Sequence, residues 1–335
     1  DKIMPDIQPT DSWMRKVLRR TTLTLAICFT AGATAQGFPD RPLRLVVPWA
    51  AGGIVDTTAR HIGQSMAQHL GQPVVIENRP GAGGSIGTEL VAKAPADGYT
   101  LLMAFDTHAV NPLIYENLPY DTFKDFTPVS TVGSIPLVFA TSPTFPAKTL
   151  AELPAQSRSQ AGGVSYGSVG AGSSGHLAAE QFRMLTGADL VHVPFKGGAP
   201  ALAALMGEHI QLLVFAVGAA VPAIQTGKIK ALAVTGSERS KALPAVPTTA
   251  EAGYPQLNSG AWMGILVPAG TPEPIVSQLQ AAIDKAVNDP KISATLAEQA
   301  VALHSSGSAE FGKFIQAEYE KWSKVIKDAN LDLRQ

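Results

Sequence analysis

The chain has 335 residues, enough for two domains and a sizeable core, with 45% hydrophobic and 16% charged residues. Its 26 basic and 27 acidic residues leave a formal net charge of −1, which offers no electrostatic handle to nucleic acid or to an anionic membrane surface. It contains no long single-sign charge run, no low-complexity tract and no repeat at a fixed period.

The first segment reads as a targeting signal. Arg15, Lys16, Arg19 and Arg20 form a basic region after Met14, Thr21 to Ala31 is a short apolar run, and Ala33-Thr34-Ala35 is an A-x-A cleavage site. Residues 1–35 are therefore expected to be a signal peptide with an upstream extension, and the mature chain to start at Gln36. The apolar run is too short to span a bilayer. Cys28, the sole cysteine, lies within it, so the mature chain has no thiol for disulfides, catalysis or metal binding. Removal of five basic and three acidic residues leaves 21 basic against 24 acidic, a balance of −3. An anion would then have to be held by local geometry and not by bulk field.

Strand and helix signals alternate through the rest. Leu43–Val47 predicts a strand, Ala50-Ala51-Gly52-Gly53 a turn, and Asp56 to Leu70 a helix with Ala59, Ile62, Met66, Ala67 and Leu70 on one face, closed by Gly71. A short strand at Val74–Glu77, a turn-rich loop at 78–84 and a helix at Ser85–Ala92 follow. Tyr99–Phe105 predicts a buried strand and Val129–Thr141 a longer extended stretch. Leu150–Arg158 is helical in pattern, with Pro154 expected to kink or shorten it. Gly163–Gly167 predicts a strand, 168–175 a second small-residue turn, and Leu177–Leu185 a helix. Further strands are predicted at Leu190–Val193, Ile210–Phe215, Ile229–Thr235 and Trp262–Val267, and long amphipathic helices in the tail. This alternation argues for an α/β fold with mostly parallel sheets. The stretches at 129–141 and 259–267 read as crossovers. They divide the chain into a first domain of residues 36–138 plus 262–335 and a second of 139–261.

The two turns carry the chemistry. A strand feeding a glycine turn feeding a helix aims free N–H groups and the positive end of the helix dipole at one point, which holds an anion without Lys or Arg. Trp49, Ala50, Ala51, Gly52 and Gly53 form the first such turn. Asp56 beyond it either pairs with the helix N-terminus or receives an ammonium or hydroxyl group of a ligand. The second turn contains Ser168, Gly170, Ala171, Gly172, Ser173 and Ser174. One hydroxyl suffices as an N-cap, and so many small residues imply close backbone approach by a ligand. The aromatic residues Trp49, Phe105, Phe195 and Phe215 sit at or near the ends of predicted strands, where open α/β sheets place ligands, although core packing explains any one of them equally. Gly81 to Gly87 lacks a dinucleotide fingerprint because Ile86 stands where glycine is required. No phosphate-binding loop, zinc helix or serine elbow is present, and no two of the seven histidines are four apart. No cofactor and no metal is expected.

The blocks Phe38–Pro48, Gly71–Gly84, Asp97–Leu102, Tyr166-Gly167-Ser168, His192–Pro200 and Val267–Pro272, in that order, resemble the Bug family of periplasmic solute receptors for tripartite tricarboxylate transporters. The resemblance covers nearly all of residues 37–330. It implies a two-domain Venus-flytrap fold in which Trp49–Asp56 and Ser168–Gly175 hold a ligand carboxylate. The loops Phe105-Asp106-Thr107, Phe195-Lys196-Gly197-Gly198 and Phe215-Ala216 would complete the pocket. Ala216 stands where the family often has Asp, Phe195 where Tyr is common, and Trp49 where Phe or Tyr is common. The loss of an acid at 216 implies a non-amino carboxylate in preference to aspartate or glutamate. The resemblance thus implies a monomeric extracytoplasmic receptor, not an enzyme, that hands a small di-, tri- or aromatic carboxylate to the membrane subunits of a transporter. Two other readings stay open. One is a secreted enzyme with His176 or His108 as base near Ser173 or Ser174; the other is a receptor that feeds a signalling partner.

Overall fold

The computed structural model describes residues 37–195, 197–236, 238–258, 260–331 and 333. The expected signal segment and Lys196 lie outside the described residues. Residues 41–335 form one compact unit; residues 1–40 form another, of which Gly37 to Asp40 are described.

Two sheets organise residues 41–335. The first contains β1 (Leu43–Val47), β2 (Val74–Asn78), β3 (Thr100–Phe105), β4 (Phe126–Ile135), β10 (Ala261–Pro268) and β11 (Ala302–Leu303), in the order β11-β4-β10-β3-β1-β2. The second contains β5 (Leu137–Thr141), β6 (Val164–Ser168), β7 (Leu190–Pro194), β8 (Leu212–Ala216) and β9 (Lys230–Val234), in the order β7-β6-β8-β5-β9. β1 is parallel to β2 and β3, and β6 is parallel to β7 and β8. The antiparallel intruder in each sheet is a crossover strand, β10 between β3 and β4, and β5 between β8 and β9. Setting aside the two-residue β11, each lobe has its second, first and third strands, then a crossover strand, then its fourth. The two lobes share one topology.

The helices are α1 (Ile54–Leu70), α2 (Ser85–Ala92), α3 (Thr107–Ile114), α4 (Leu153–Ser159), α5 (Ser174–Thr186), α6 (Gly198–Met206), α7 (Val217–Gln225), α8 (Glu273–Val287), α9 (Pro290–Ala297) and α10 (Ser308–Asp328). The apolar runs of the second lobe are explained by burial on both sheet faces. Leu137, Phe139, Leu212 and Val214 join one core, whereas Val138, Ala140, Leu213 and Phe215 join the other. In the first lobe Val46, Leu102, Trp262 and Leu266 meet Phe311 and Ile315 of α10. Gly264 is needed there, since a Cβ would lie 2.2 Å from Phe311 Cζ.

Three local expectations change. The stretch 129–141 is two strands, β4 and β5, which belong to different sheets with Pro136 between them. Pro154 does not kink its helix; it occupies the first turn of α4, where its missing N–H costs nothing. Helix α3 was not predicted: it is only eight residues long and carries Pro112 inside. At the crossover the chain segments touch backbone to backbone, for a Cβ on Gly260 would stand 2.6 Å from the Ile135 carbonyl oxygen.

Candidate functional site

Both predicted turns follow the first strand of their lobe, beside the point where strand order reverses from β1 to β3 and from β6 to β8. Crevices at such switch points, outside the carboxyl ends of parallel strands, are where open α/β sheets bind ligands. Superposed at the helix start, the turns are one device. Gly52 has φ 83° and Gly172 has φ 73°, both in the left-handed region that glycine adopts freely. Gly53 and Ser173 are extended N-caps, and Ile54 and Ser174 begin the helices. In each turn the glycine N–H is bound by the side chain four residues on: Gly52 donates to Asp56 Oδ2 at 2.8 Å, and Gly172 donates to His176 Nδ1 at 3.0 Å.

In the first turn Asp56 is the centre of a closed knot. It is buried, and both oxygens are engaged: Oδ2 by Gly52 and by Arg60 Nε at 3.0 Å, Oδ1 by Asn78 Nδ2 at 2.9 Å. Asn78 also donates to the Trp49 carbonyl at 3.0 Å. Burial would push the Asp56 carboxyl up, but the hydrogen bonds from Arg60, Gly52 and Asn78 outweigh it and hold the group below the ordinary carboxylate value. Ala50, Ala51, Gly52 and Gly53 are exposed. Trp49 is half-buried; its ring edge meets Phe105 at 5.6 Å, and its Nε1–H is buried without a partner.

The second turn is knitted by its own hydroxyls. The Gly170 carbonyl accepts from Ser173 Oγ at 2.7 Å and from Ser168 Oγ at 2.9 Å. Ser173 also caps α5 through the His176 N–H. Beneath the turn, the His176 and His192 rings stack at 3.8 Å and Tyr166 stacks on His192 at 4.9 Å. Tyr166 donates to Glu180 at 2.6 Å, and Arg183 donates to the other Glu180 oxygen at 2.7 Å. Burial, reinforced by the neighbouring His192, pushes the His176 pKa down to about 3, and burial also lowers that of His192 against the pull of Glu180. Both imidazoles are therefore neutral near neutral pH. Part of the small-residue surplus serves packing: a Cβ on Gly172 would stand 2.1 Å from Ile114 Cδ1, and one on Gly175 would stand 2.0 Å from the Val214 carbonyl oxygen.

The Gly172–Ile114 contact joins the lobes. Val110 and Ile114 of α3 and Trp322 and Val325 of α10 pack with Leu177 of α5. Asp106, at the start of α3, lies beside Ser174 at the start of α5. Its side chain is 5% exposed, and neither oxygen has a hydrogen bond of ordinary geometry. Burial raises its pKa to about 7, although Ser174 and the Thr107 N–H favour the charged form. The chain Trp49–Phe105–Asp106–Ser174 thus links the first turn to the second. Thr107 is half-buried beside Asp106. Phe195 and Gly197 follow β7 next to the second turn; the Phe195 N–H donates to the Ser168 carbonyl, and its ring would meet a Cβ on Gly167. Phe215 points into the second-lobe core, which leaves Ala216 at the end of β8. Asn78, Ile114, Tyr166, Glu180 and His192 were not among the predicted site residues. The one signal available for the clamps was the glycine-to-acceptor spacing of four in both turns.

The proposed serine–histidine pairs do not form. His176 Nδ1 is taken by Gly172, and both His108 nitrogens are buried without partners, with burial lowering its pKa to about 4. Ser168 Oγ does lie 2.7 Å from His192 Nε2, but Ser168 is fully buried and also bound to Gly170, out of reach of a substrate. Among the described residues no cluster of three metal-ligating side chains occurs, and no helix is long and apolar enough to cross a membrane. A cavity of about 350 Å³ lies at the crossover, lined in part by Ser134, Pro136, Thr235, Arg239 and Gly260. None of its lining residues belongs to either turn, and its Arg239 is already paired with Glu251.

Residues 58–331 match the family described as the tripartite tricarboxylate transporter family receptor. Three solved structures are similar. The periplasmic binding protein BugD has 32% identity and a TM-score of 0.75, covering 89% of this chain and 100% of that one. Rpa4515 of R. palustris, solved with adipate, has 35% identity and a TM-score of 0.78, covering 88% of this chain and 98% of that one. MatC of Rhodopseudomonas palustris, with bound malate, has 35% identity and a TM-score of 0.72, covering 86% of this chain and 100% of that one. These relatives are binding proteins, not enzymes. The chain belongs to the tripartite tricarboxylate transporter receptor family, as a periplasmic solute receptor of the Bug type.

Proposed function

We propose that this protein binds a small non-amino carboxylate between its lobes, at the two strand–turn–helix corners, and delivers it to the membrane subunits of a tripartite transporter. The observation that carries this reading is the pairing of two equivalent helix N-termini at equivalent switch points, one in each lobe, with no basic side chain in either described turn. The buried, unpartnered Trp49 Nε1–H adds a donor beside the first turn. The division at 36–138 plus 262–335 against 139–261 gives each lobe one turn. Ala216 leaves the end of β8 without an acid to hold an ammonium group. Closure is a hinge motion about the Pro136 and Gly260 crossings, biased by the ligand's contacts in the closed form. The protein acts as a monomer and does no chemistry on its cargo.

A thermal-shift panel of mono-, di-, tri- and aromatic carboxylates tests this reading. A ligand at a hundred times its Kd stabilises by about 2.7 kcal/mol. Adipate or malate raising the midpoint, with aspartate and glutamate weaker, is the expected result. A panel in which acidic amino acids bind best would overturn the cargo class, and one without any response would overturn the receptor reading.

A further inference from the structure

We propose that Asp106 is a specificity-determining residue of the receptor site: its buried carboxyl takes a hydroxyl on the cargo carbon next to the bound carboxylate. The inference rests on the carboxylate-receptor reading above and deepens it. Two buried polar groups without a partner flank Phe105 at the end of β3. One is a donor, the Nε1–H of Trp49, whose ring edge meets Phe105 at 5.6 Å. The other is the carboxyl of Asp106, the next residue in the chain, 5% exposed and with neither oxygen in a hydrogen bond of ordinary geometry. Unpaired polar groups in a dry site are costly, and a ligand that supplies the missing partners removes that cost. His108, two positions on, is also buried and unpartnered, but its ring packs on Tyr120 and Phe126 of the first-lobe core. Trp49 and Asp106 instead border the two corners. Trp49 opens the first turn, and Asp106 lies beside Ser174, the first residue of α5 in the other lobe.

The chemistry of the pair names the cargo. An indole N–H needs an acceptor, which a carboxylate oxygen supplies. Asp106 needs something else. Burial, aided by Glu318 of α10, pushes its pKa up to about 7, while Ser174, the Thr107 N–H and Lys321 favour the anion. A hydroxyl suits both forms, since it donates to the carboxylate and accepts from the acid. An ammonium suits only the anion, and a further carboxylate suits only the acid. Ser174 stands at a helix start that holds the cargo carboxylate, so the hydroxyl belongs on the adjacent carbon. The fitting cargo is a 2-hydroxy acid.

The test is calorimetry on the full chain with acids matched in all but one hydroxyl: lactate against propionate, malate against succinate, and mandelate against phenylacetate. In at least one pair the wild type should prefer the hydroxy acid by about tenfold or more. Asp106→Ala should bring that preference below about threefold without weakening the unhydroxylated partner. Asp106→Asn keeps an acceptor oxygen and should retain more of the preference than Asp106→Ala. Trp49→Phe keeps a ring against Phe105, removes the Nε1–H, and should weaken both members of the pair alike. Denaturant unfolding identifies variants that stay folded, and a merely structural role for Asp106 would move both members of a pair together. That result would overturn the proposal, as would a preference that survives Asp106→Ala. Equal affinities in every pair, or no binding by any pair while another acid of the panel binds, would also overturn it and leave the receptor reading standing. If aspartate binds more tightly than malate and Asp106→Ala abolishes the difference, the acid holds an ammonium, and the proposal and the non-amino cargo fail together.

Discussion

The two lobes share a strand order and a turn, yet they hold that turn rigid by opposite means. The first uses a buried carboxylate that collects a backbone N–H, a guanidinium and an amide. The second uses a neutral imidazole stack, backed by a tyrosine on a buried Glu180 that Arg183 balances. A backbone corner thus fixes where its N–H groups point, while the side chain behind it sets how much charge the corner presents. The lobes also differ in packing. Val55 fills the space behind the first turn, whereas the equivalent position behind the second is Gly175, pressed against a backbone carbonyl.

That packing difference gives the largest expected effect. Gly175→Val would drive a side chain into the Val214 carbonyl, a backbone atom that cannot rotate away, and should destabilise by about 3 kcal/mol or more. Denaturant unfolding reads it. Gly172→Val is expected to act differently: the first atom it meets is the movable end of Ile114, and the cost to the fold is mainly the strain of a β-branched residue at a φ of 73°. It should spare most of the fold but hold the lobes apart and abolish binding, which scattering and calorimetry would detect together.

Acid comes next, and it probes the neutral imidazoles. His176 and His108 have folded pKa values of about 3 and about 4, below the unfolded value near 6.5, and that of His192 is also lowered. Between those limits the unfolded chain binds more protons, so stability is full above pH 6.5 and is lost as pH falls. Each imidazole contributes up to about 1.4 kcal/mol per pH unit. Asp106 works in the opposite sense. Its folded value of about 7 lies above the unfolded 3.8, so its contribution grows as pH falls through 7 and offsets one imidazole. Melting midpoints between pH 7.5 and 5 should therefore fall in acid, and Asp106→Asn should make the fall steeper. A midpoint that rises on acidification would contradict the assignment of neutral histidines.

Much of this was legible in the sequence, for identifiable reasons. Leu43–Val47 and Ile210–Phe215 read as strands because both sheet faces are covered, and the glycine turns read after Val47 and Gly167 are strand-to-helix turns in the fold. Pro136 gave no sign of dividing one extended stretch between two sheets, since proline is at home in extended backbone. Helix α3 escaped because eight residues with an internal proline carry almost no periodicity, yet its Ile114 is what the second turn touches. The Ser168–His192 contact spans 24 positions and is created by strand register, with Tyr166 opposite His192 and Ser168 opposite Pro194. No local pattern encodes such a pair. Asp56 kept two readings in the sequence; in the fold, Gly52, Arg60 and Asn78 occupy both its oxygens.

Smaller effects separate the two clamps further. Tyr166→Phe removes the donor to a buried Glu180 oxygen and leaves Arg183 as that group's remaining partner, which should cost about 2 kcal/mol. Because Tyr166 also stacks beneath His192, the loss should reach the second turn and appear as faster exchange of the Gly172 amide. The first lobe offers a milder counterpart. Phe105→Leu keeps an apolar side chain at the end of β3 but removes the edge-on contact with Trp49, a change worth about 1 kcal/mol. The knot of Asp56, Asn78 and Arg60 holds Trp49 by its backbone carbonyl and not by its ring, so the Gly52 amide should stay protected while Trp49 fluorescence changes. If Phe105→Leu loosened Gly52 as much as Tyr166→Phe loosens Gly172, the first turn would depend on its aromatic flank and not on the carboxylate knot. The two lobes would then be held by similar rather than opposite means.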